Sequence, residues 1–225
     1  MKTDSPLYNL FSIYPSSFFQ LAGLPDSAVD RYKFDSIEVS EPAFRIDGVF
    51  VPKGEAAGEP IRFCEYQFQL SDGIYRRLFG EIFLYLRHAP DDPDWHATVI
   101  FPHRHLQTTD TDAYQMLLMS NQVRRIYLDE LDPDRLRLGA AIVQLTVEPE
   151  RSAPERFQKV MAQAEQEIAD ISLRQDIMKV LEKLAIYKFP QLSSKELEQM
   201  LGLGDIKQTC VYQEAQEEWT RAIAT

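Results

Sequence analysis

Residues 44–69 constrain this chain more than any other stretch. They read Phe-Arg-Ile-Asp-Gly-Val-Phe-Val, then a loop rich in Gly, Ala and Glu across 53–60, then Ile-Arg-Phe-Cys-Glu-Tyr-Gln-Phe-Gln. Apolar side chains recur with period two on both sides of the loop, which predicts a pair of neighbouring strands. Side chains two apart on a strand share a face. Glu65 and Gln67 therefore stand with Ile61, Phe63 and Gln69, while Arg62, Cys64, Tyr66 and Phe68 face the other way. With that second face packed under a helix, Glu65 and Gln67 point into an opening that Asp47 of the first strand also reaches. Two carboxyl groups about 4–6 Å apart in such a place are a site for a hard divalent cation.

Each of these residues has a plainer reading. Asp47-Gly48 is also a hairpin signal, but the loop joining the two strands already lies at 53–60, so a turn at Asp47 is not needed there. Glu65, Gln67 and Gln69 form the solvated face of an amphipathic strand in many proteins; here Ile61 and Phe63 share that face, which argues against a wholly wet side.

An Asp on one strand followed by Glu-x-Lys on the next resembles the PD-(D/E)XK nuclease superfamily, with Glu65-Tyr66-Gln67 standing as the Glu-x-Gln variant. The resemblance extends to longer phrases: Phe-Asp-Ser-Ile-Glu-Val at 34–39, Phe-Arg-Ile-Asp-Gly-Val-Phe at 44–50, Glu-Ile-Phe-Leu-Tyr-Leu-Arg at 81–87 and Lys-Phe-Pro-Gln-Leu-Ser at 188–193. Together these are similar to the Rpn-type recombination-promoting nuclease and transposase-like proteins, in their cyanobacterial-type branch. The likeness implies a restriction-endonuclease-like α/β fold, a mixed central sheet flanked by helices. It also implies a Mg²⁺-dependent DNA endonuclease, with Mn²⁺ able to substitute, linked to recombination or mobile elements. Asp47 and Glu65 would be the metal ligands, and Asp47, Glu65 and Gln67 the catalytic set.

The chain departs from that pattern in two places. Gln67 carries no charge and cannot act as a base, although its carbonyl can bind a metal or orient water; removing the proton of the attacking water then falls to the metal. Related nucleases add an acid from the first helix, where this chain has Gln20 and no Glu, leaving Glu38 as a substitute. Tyr75, Arg76 and Arg77, on the helix after the second strand, are the candidate phosphate contacts, against the plainer reading of solvated helix arginines.

Composition bounds the reading. The 225 residues, 44% hydrophobic, suffice for a proper core. No apolar run approaches the roughly eighteen residues of a membrane span, and the N-terminus has no secretory pattern, so a cytoplasmic protein without membrane contact is expected. Cys64 and Cys210 suggest neither a disulfide framework nor a thiolate zinc site. A net charge of −11 argues against a protein that coats DNA, because phosphate neutralisation drives non-specific affinity. A nuclease must then draw positive charge from its metal.

Taken in order, residues 6–21 predict two short helices interrupted at Pro15, and 34–39 a first strand. The spacing of Ile74, Leu78, Ile82, Tyr85 and Leu86 predicts a helix over 71–88. Strands are expected at 97–101 and 125–128 with a helix around 112–119 between them, a parallel strand, helix, strand unit. His103 and His105 flank Arg104 in what reads as a loop after a strand rather than a zinc site, and Arg124-Arg125 is a small candidate phosphate patch. Residues 154–187 predict one or two long helices, Ser193-x-x-Glu196 a capping box for a helix ending at Gly202, and 205–222 a last helix.

The expected organisation is a nuclease-like domain over 1–150 and a C-terminal helical extension over 151–225 that serves association, as a homodimer or with a DNA-recognition partner. The alternative function is a catalytically inactive nuclease-fold module that binds nucleic acid or protein. Gln67 and the acidic charge favour that alternative; Asp47 and Glu65 favour the enzyme.

Overall fold

The computed structural model describes residues 6–35, 47–56, 58–89, 93–108 and 111–202. Two compact units divide the chain, Met1–Asp132 and Pro133–Thr225.

The first unit is a mixed α/β sheet flanked by helices. Its strands β1 (Tyr32–Asp35), β2 (Gly48–Pro52), β3 (Ile61–Tyr66), β4 (Trp95–Phe101) and β5 (Val123–Tyr127) lie side by side in chain order. The first three form an antiparallel meander, and β3, β4 and β5 run parallel. Residues 53–60 make a short link between the antiparallel β2 and β3, whereas the parallel β3 and β4 are joined through the helix at 74–88, as a crossover requires. The strand expected at 34–39 begins two residues earlier, and 36–39, including Glu38, lie outside the described residues.

Helices α1 (Pro6–Ile13) and α2 (Ser16–Leu21) break where Pro15, which has no N–H to donate, cannot continue the ladder. They cover one face of the sheet: Phe18 stacks on Phe50 at 4.4 Å between ring centroids, Phe19 meets the same ring edge-on at 5.5 Å, and Phe11 packs on Tyr66 at 5.4 Å. Helix α3 (Ile74–His88) covers the other face, where Ile74, Leu78, Phe79 and Ile82 join Val49, Ile61, Phe63, Ala97 and Val99 in one buried cluster. Each such side chain removed from water contributes about 1.5–3 kcal/mol before the entropy of ordering it is set against that gain. The period-two reading thus holds: Val49 and Phe63 face α3, while Phe50 and Tyr66 face the N-terminal helices. Short α4 (Gln115–Met119) precedes β5.

The second unit is helical. Its α5 (Leu138–Gln144) is buried at every residue, the one or two long helices expected over 154–187 are two, α6 (Ala153–Glu167) and α7 (Ile171–Lys188), and α8 (Ser194–Leu201) follows. Asp170 caps α7 by accepting the Leu173 N–H at 2.9 Å, and the Ser193–Glu196 capping box opens α8. Gly202 at φ 69° ends α8 in the left-handed conformation that glycine adopts without strain. No periodicity announces α5, because a helix buried all round has no polar stripe to mark its turns. The helix expected at 205–222 lies outside the described residues. Among the described residues no helix is long and apolar enough to cross a membrane.

Candidate functional site

Strands β2 and β3 pair with Gly48 opposite Cys64, Val49 opposite Phe63 and Phe50 opposite Arg62. Extending that register by one residue sets Asp47 opposite Glu65. Asp47 stands at a bend where β2 starts, rather than within the strand, and its Oδ2 accepts the Tyr66 backbone N–H at 3.2 Å. The turn reading of Asp-Gly fails. Gly48 is a paired strand residue without a positive φ, and what requires a glycine there is the Phe34 ring, 2.7 Å from where a Cβ would lie.

Glu65 and Gln67 share a side, as the alternation predicts, but they do not point into an opening. Glu65 is 3% and Gln67 7% exposed. The first turns of α3 lie over them, and Arg77 closes the site: its Nη2 donates to Glu65 Oε1 at 2.7 Å and to Gln67 Oε1 at 3.4 Å. The Gln67 amide in turn donates to the Gln69 carbonyl. The other Glu65 oxygen, Oε2, is buried and meets no hydrogen-bond donor among the described residues. A buried carboxylate oxygen left so is costly unless it is protonated or meets a cation.

The electrostatics agree. Burial, then the negative charge of Asp47, pushes the Glu65 carboxyl up to about 8, with Glu81 adding to the rise, while the hydrogen bond and charge of Arg77 pull the other way. Glu81 lies one turn beyond Arg77 on α3 and is fully buried. Three carboxyl groups therefore act on one guanidinium: burial lowers its proton affinity, but the hydrogen bond and charge of Glu65, then the charges of Glu81 and Asp47, hold it above the ordinary arginine value. Excess negative charge out of water calls for a proton or a cation.

Sequence reasoning missed Glu81. The signal was present: Arg77 and Glu81 are four residues apart on one helix, beside the apolar row of Ile74, Leu78 and Ile82.

The three candidate phosphate contacts separate. Tyr75 is a core residue, 1% exposed, its ring stacked with Phe79 at 6.1 Å and its hydroxyl pushed up by burial. Arg76 is exposed. Arg77 is committed to Glu65. The Arg124-Arg125 patch is also partly used within the fold, since Arg124 donates to the Ala22 carbonyl.

His103 and His105 follow β4 as expected, their rings stacked at 5.3 Å, with His103 Nδ1 2.9 Å from Asp129 Oδ2. Among the described residues no group of three or more His, Cys, Asp or Glu is arranged to hold a metal ion. Cys64 is buried and its thiol is pushed well up, chiefly by that burial, so it is no nucleophile.

No curated protein and no solved structure matches this chain. One family does, the one described as protein of unknown function (DUF2887), and it matches residues 3–201. The chain therefore belongs to the DUF2887 family.

Proposed function

We propose that this protein is a metal-dependent DNA endonuclease of the restriction-endonuclease-like kind, with Asp47 and Glu65 as its Mg²⁺ or Mn²⁺ ligands and Gln67 as the residue that orients the attacking water. The observation that carries the reading is the buried Glu65 Oε2 without a donor among the described residues, on a carboxyl group whose proton affinity burial and then Asp47 raise. An oxygen acceptor in that state fits a hard cation, and the donor set, carboxylates beside an amide carbonyl, is the one such ions prefer. The order of elements, with three antiparallel strands, a helix and a parallel strand, also suits the resemblance to the Rpn-type nucleases.

When bound, the metal lowers the pKa of a water and offsets the charge that develops on the phosphate. The chain's own residues hold the geometry for this. Asp47 is fixed by the Tyr66 N–H, Glu65 by Arg77, and Gln67 by Arg77 and the Gln69 carbonyl. Asp47 and Glu65 would hold the ion between them, leaving its remaining positions to water and the substrate phosphate. The link to recombination or mobile elements, and pairing of two copies through the C-terminal helices, rest on the family resemblance and on the helical character of the second unit.

One observation favours the second reading, an inactive nuclease-fold module that binds nucleic acid or protein. Arg77 already occupies one oxygen of Glu65, and an arginine in that place is the simplest partner for a carboxylate that never meets a metal. Incubating the full chain with supercoiled plasmid and Mg²⁺ or Mn²⁺ decides between them. Nicking that disappears in Asp47→Ala and Glu65→Ala is the expected result. No nicking with either metal, or equal nicking by the parent and Asp47→Ala, would sink the enzyme reading.

A further inference from the structure

Arg77 is placed unlike Arg31 and Arg104. Its side chain is 41% exposed, while the Glu65 side chain it holds is 4% exposed, so the guanidinium sits at the mouth of the site with one edge to solvent. Arg31 pairs with Glu59 and Arg104 with Glu130 at half-exposed surface sites, where an ion pair contributes little. At Arg77 one partner is buried, and losing that partner without replacement is costly. The guanidinium also reaches Gln67, donating to its Oε1 at 3.4 Å.

Resting on the nuclease reading for the identity of the site, we propose that Arg77 is the built-in counter-ion of the Asp47–Glu65 pair. It holds Glu65 and Gln67 in place while no cation is bound, yields the carboxylate to a divalent cation, and then turns to the substrate phosphate. Arginine keeps its charge at any usable pH, so the exchange is one of position and not of protonation. Its five donors suit carboxylate and phosphate alike, and a half-exposed stem leaves room to swing between them. No bond is made or broken in the exchange. A chain of net charge −11 thereby supplies one positive charge where a phosphate would lie.

The two ions compete for Glu65, which makes the proposal measurable without cleavage. Mn²⁺ affinity, followed by electron paramagnetic resonance on the full chain, should rise at least about tenfold in Arg77→Met, because one positive charge has left the neighbourhood of the cation. Arg77→Lys keeps that charge and should stay within about threefold of the parent. Glu65→Gln should lose binding, showing that the same carboxylate is read. Circular dichroism confirms that each variant is folded. At saturating Mn²⁺, Arg77→Met should nick plasmid more slowly than the parent despite binding metal more tightly.

Equal or weaker Mn²⁺ affinity in Arg77→Met, no binding by either protein, or, with a parent that nicks, unchanged nicking at saturation overturns the proposal. The nuclease reading fails separately. A parent that does not nick, with tighter Mn²⁺ binding in Arg77→Met, removes the enzyme and leaves the counter-ion role. A parent that nicks, with affinity unchanged in Arg77→Met, does the reverse.

Discussion

The Asp47 carboxylate accepts the backbone N–H of Tyr66 at 3.2 Å, so one side chain both ends the β2–β3 ladder and supplies negative charge next to Glu65. Those two roles separate by substitution. Asp47→Asn keeps a carbonyl oxygen for the N–H and removes the charge, whereas Asp47→Ala leaves a half-buried donor unsatisfied, which costs about 1–3 kcal/mol. Urea unfolding should show Asp47→Ala less stable by about that amount and Asp47→Asn within about 0.5 kcal/mol of the parent. Both should lose nicking. Equal stability of the two variants would mean that the hydrogen bond contributes nothing to the fold.

Glu65 makes folding depend on pH. Its carboxyl titrates near 8 in the folded chain against 4.5 for the free group, so between those values the folded state holds a proton that the unfolded state has lost. Stability is therefore highest below about 4.5 as far as this residue is concerned, falls as pH rises through the window, and levels off above about 8. Replacing Glu65 by Gln removes the titration and should flatten that part of the profile. Urea midpoints measured from pH 5 to 9 for both proteins check this; parallel profiles would show that Glu65 does not titrate there.

Gly48→Ala tests the close approach beside the site. A Cβ would lie 2.7 Å from the Phe34 ring, nearer than side chains tolerate, and the ring is held by Phe50 at 4.8 Å and Tyr8 at 5.2 Å between centroids. Overpacking of this kind costs about 1–3 kcal/mol. Phe34→Leu on its own should destabilise the chain, yet in the double variant the cost of Gly48→Ala should shrink by at least about 1 kcal/mol, a coupling expected of residues in contact. Additive losses in thermal or urea unfolding would deny the contact.

Gln67→Lys restores the charge of the commoner motif, but places an ammonium within reach of a carboxylate that Arg77 already holds. Two cations would then face Glu65. Mn²⁺ affinity should fall by about tenfold or more, since like charges a few ångströms apart repel strongly in a dry site. Gln67→Ala should change affinity only slightly. Tighter Mn²⁺ binding in Gln67→Lys would show that Arg77 moves aside more readily than its 2.7 Å contact suggests.

In the second unit, Ser193→Ala removes the hydroxyl that accepts the Glu196 N–H at 3.4 Å and donates to the Glu196 carboxylate at 2.6 Å. Loss of such a cap costs about 0.5–2 kcal/mol. A matching drop in the urea midpoint is expected, with no change in Mn²⁺ binding, because no metal ligand is involved.

The amino-acid order by itself determined the local elements. Period-two alternation at Val49–Phe50 and Ile61–Tyr66 fixed the strand pair and the face each residue takes; the rows of Ile74, Leu78 and Ile82 fixed α3; Pro15 fixed the break between the first two helices; Ser193 and Glu196 fixed the start of α8. These are signals carried by neighbours a few residues apart. The carboxylate pair was legible for the same reason, since a strand's register follows from its pattern.

What covers that pair was decided only in three dimensions. Alternation says that Glu65 and Gln67 share a side, but not that the side lies beneath the first turns of α3. Period alone therefore suggested an opening, where the fold places Arg77. Tyr75 and Arg77 are two residues apart on one helix, and only packing against the sheet sends the first into the core and leaves the second at the mouth of the site. Glu81 joined the cluster the same way, through a charge felt across space between a strand and a helix. Burial and long-range charge depend on which surfaces meet, and a periodic pattern names the surface without naming what lies against it.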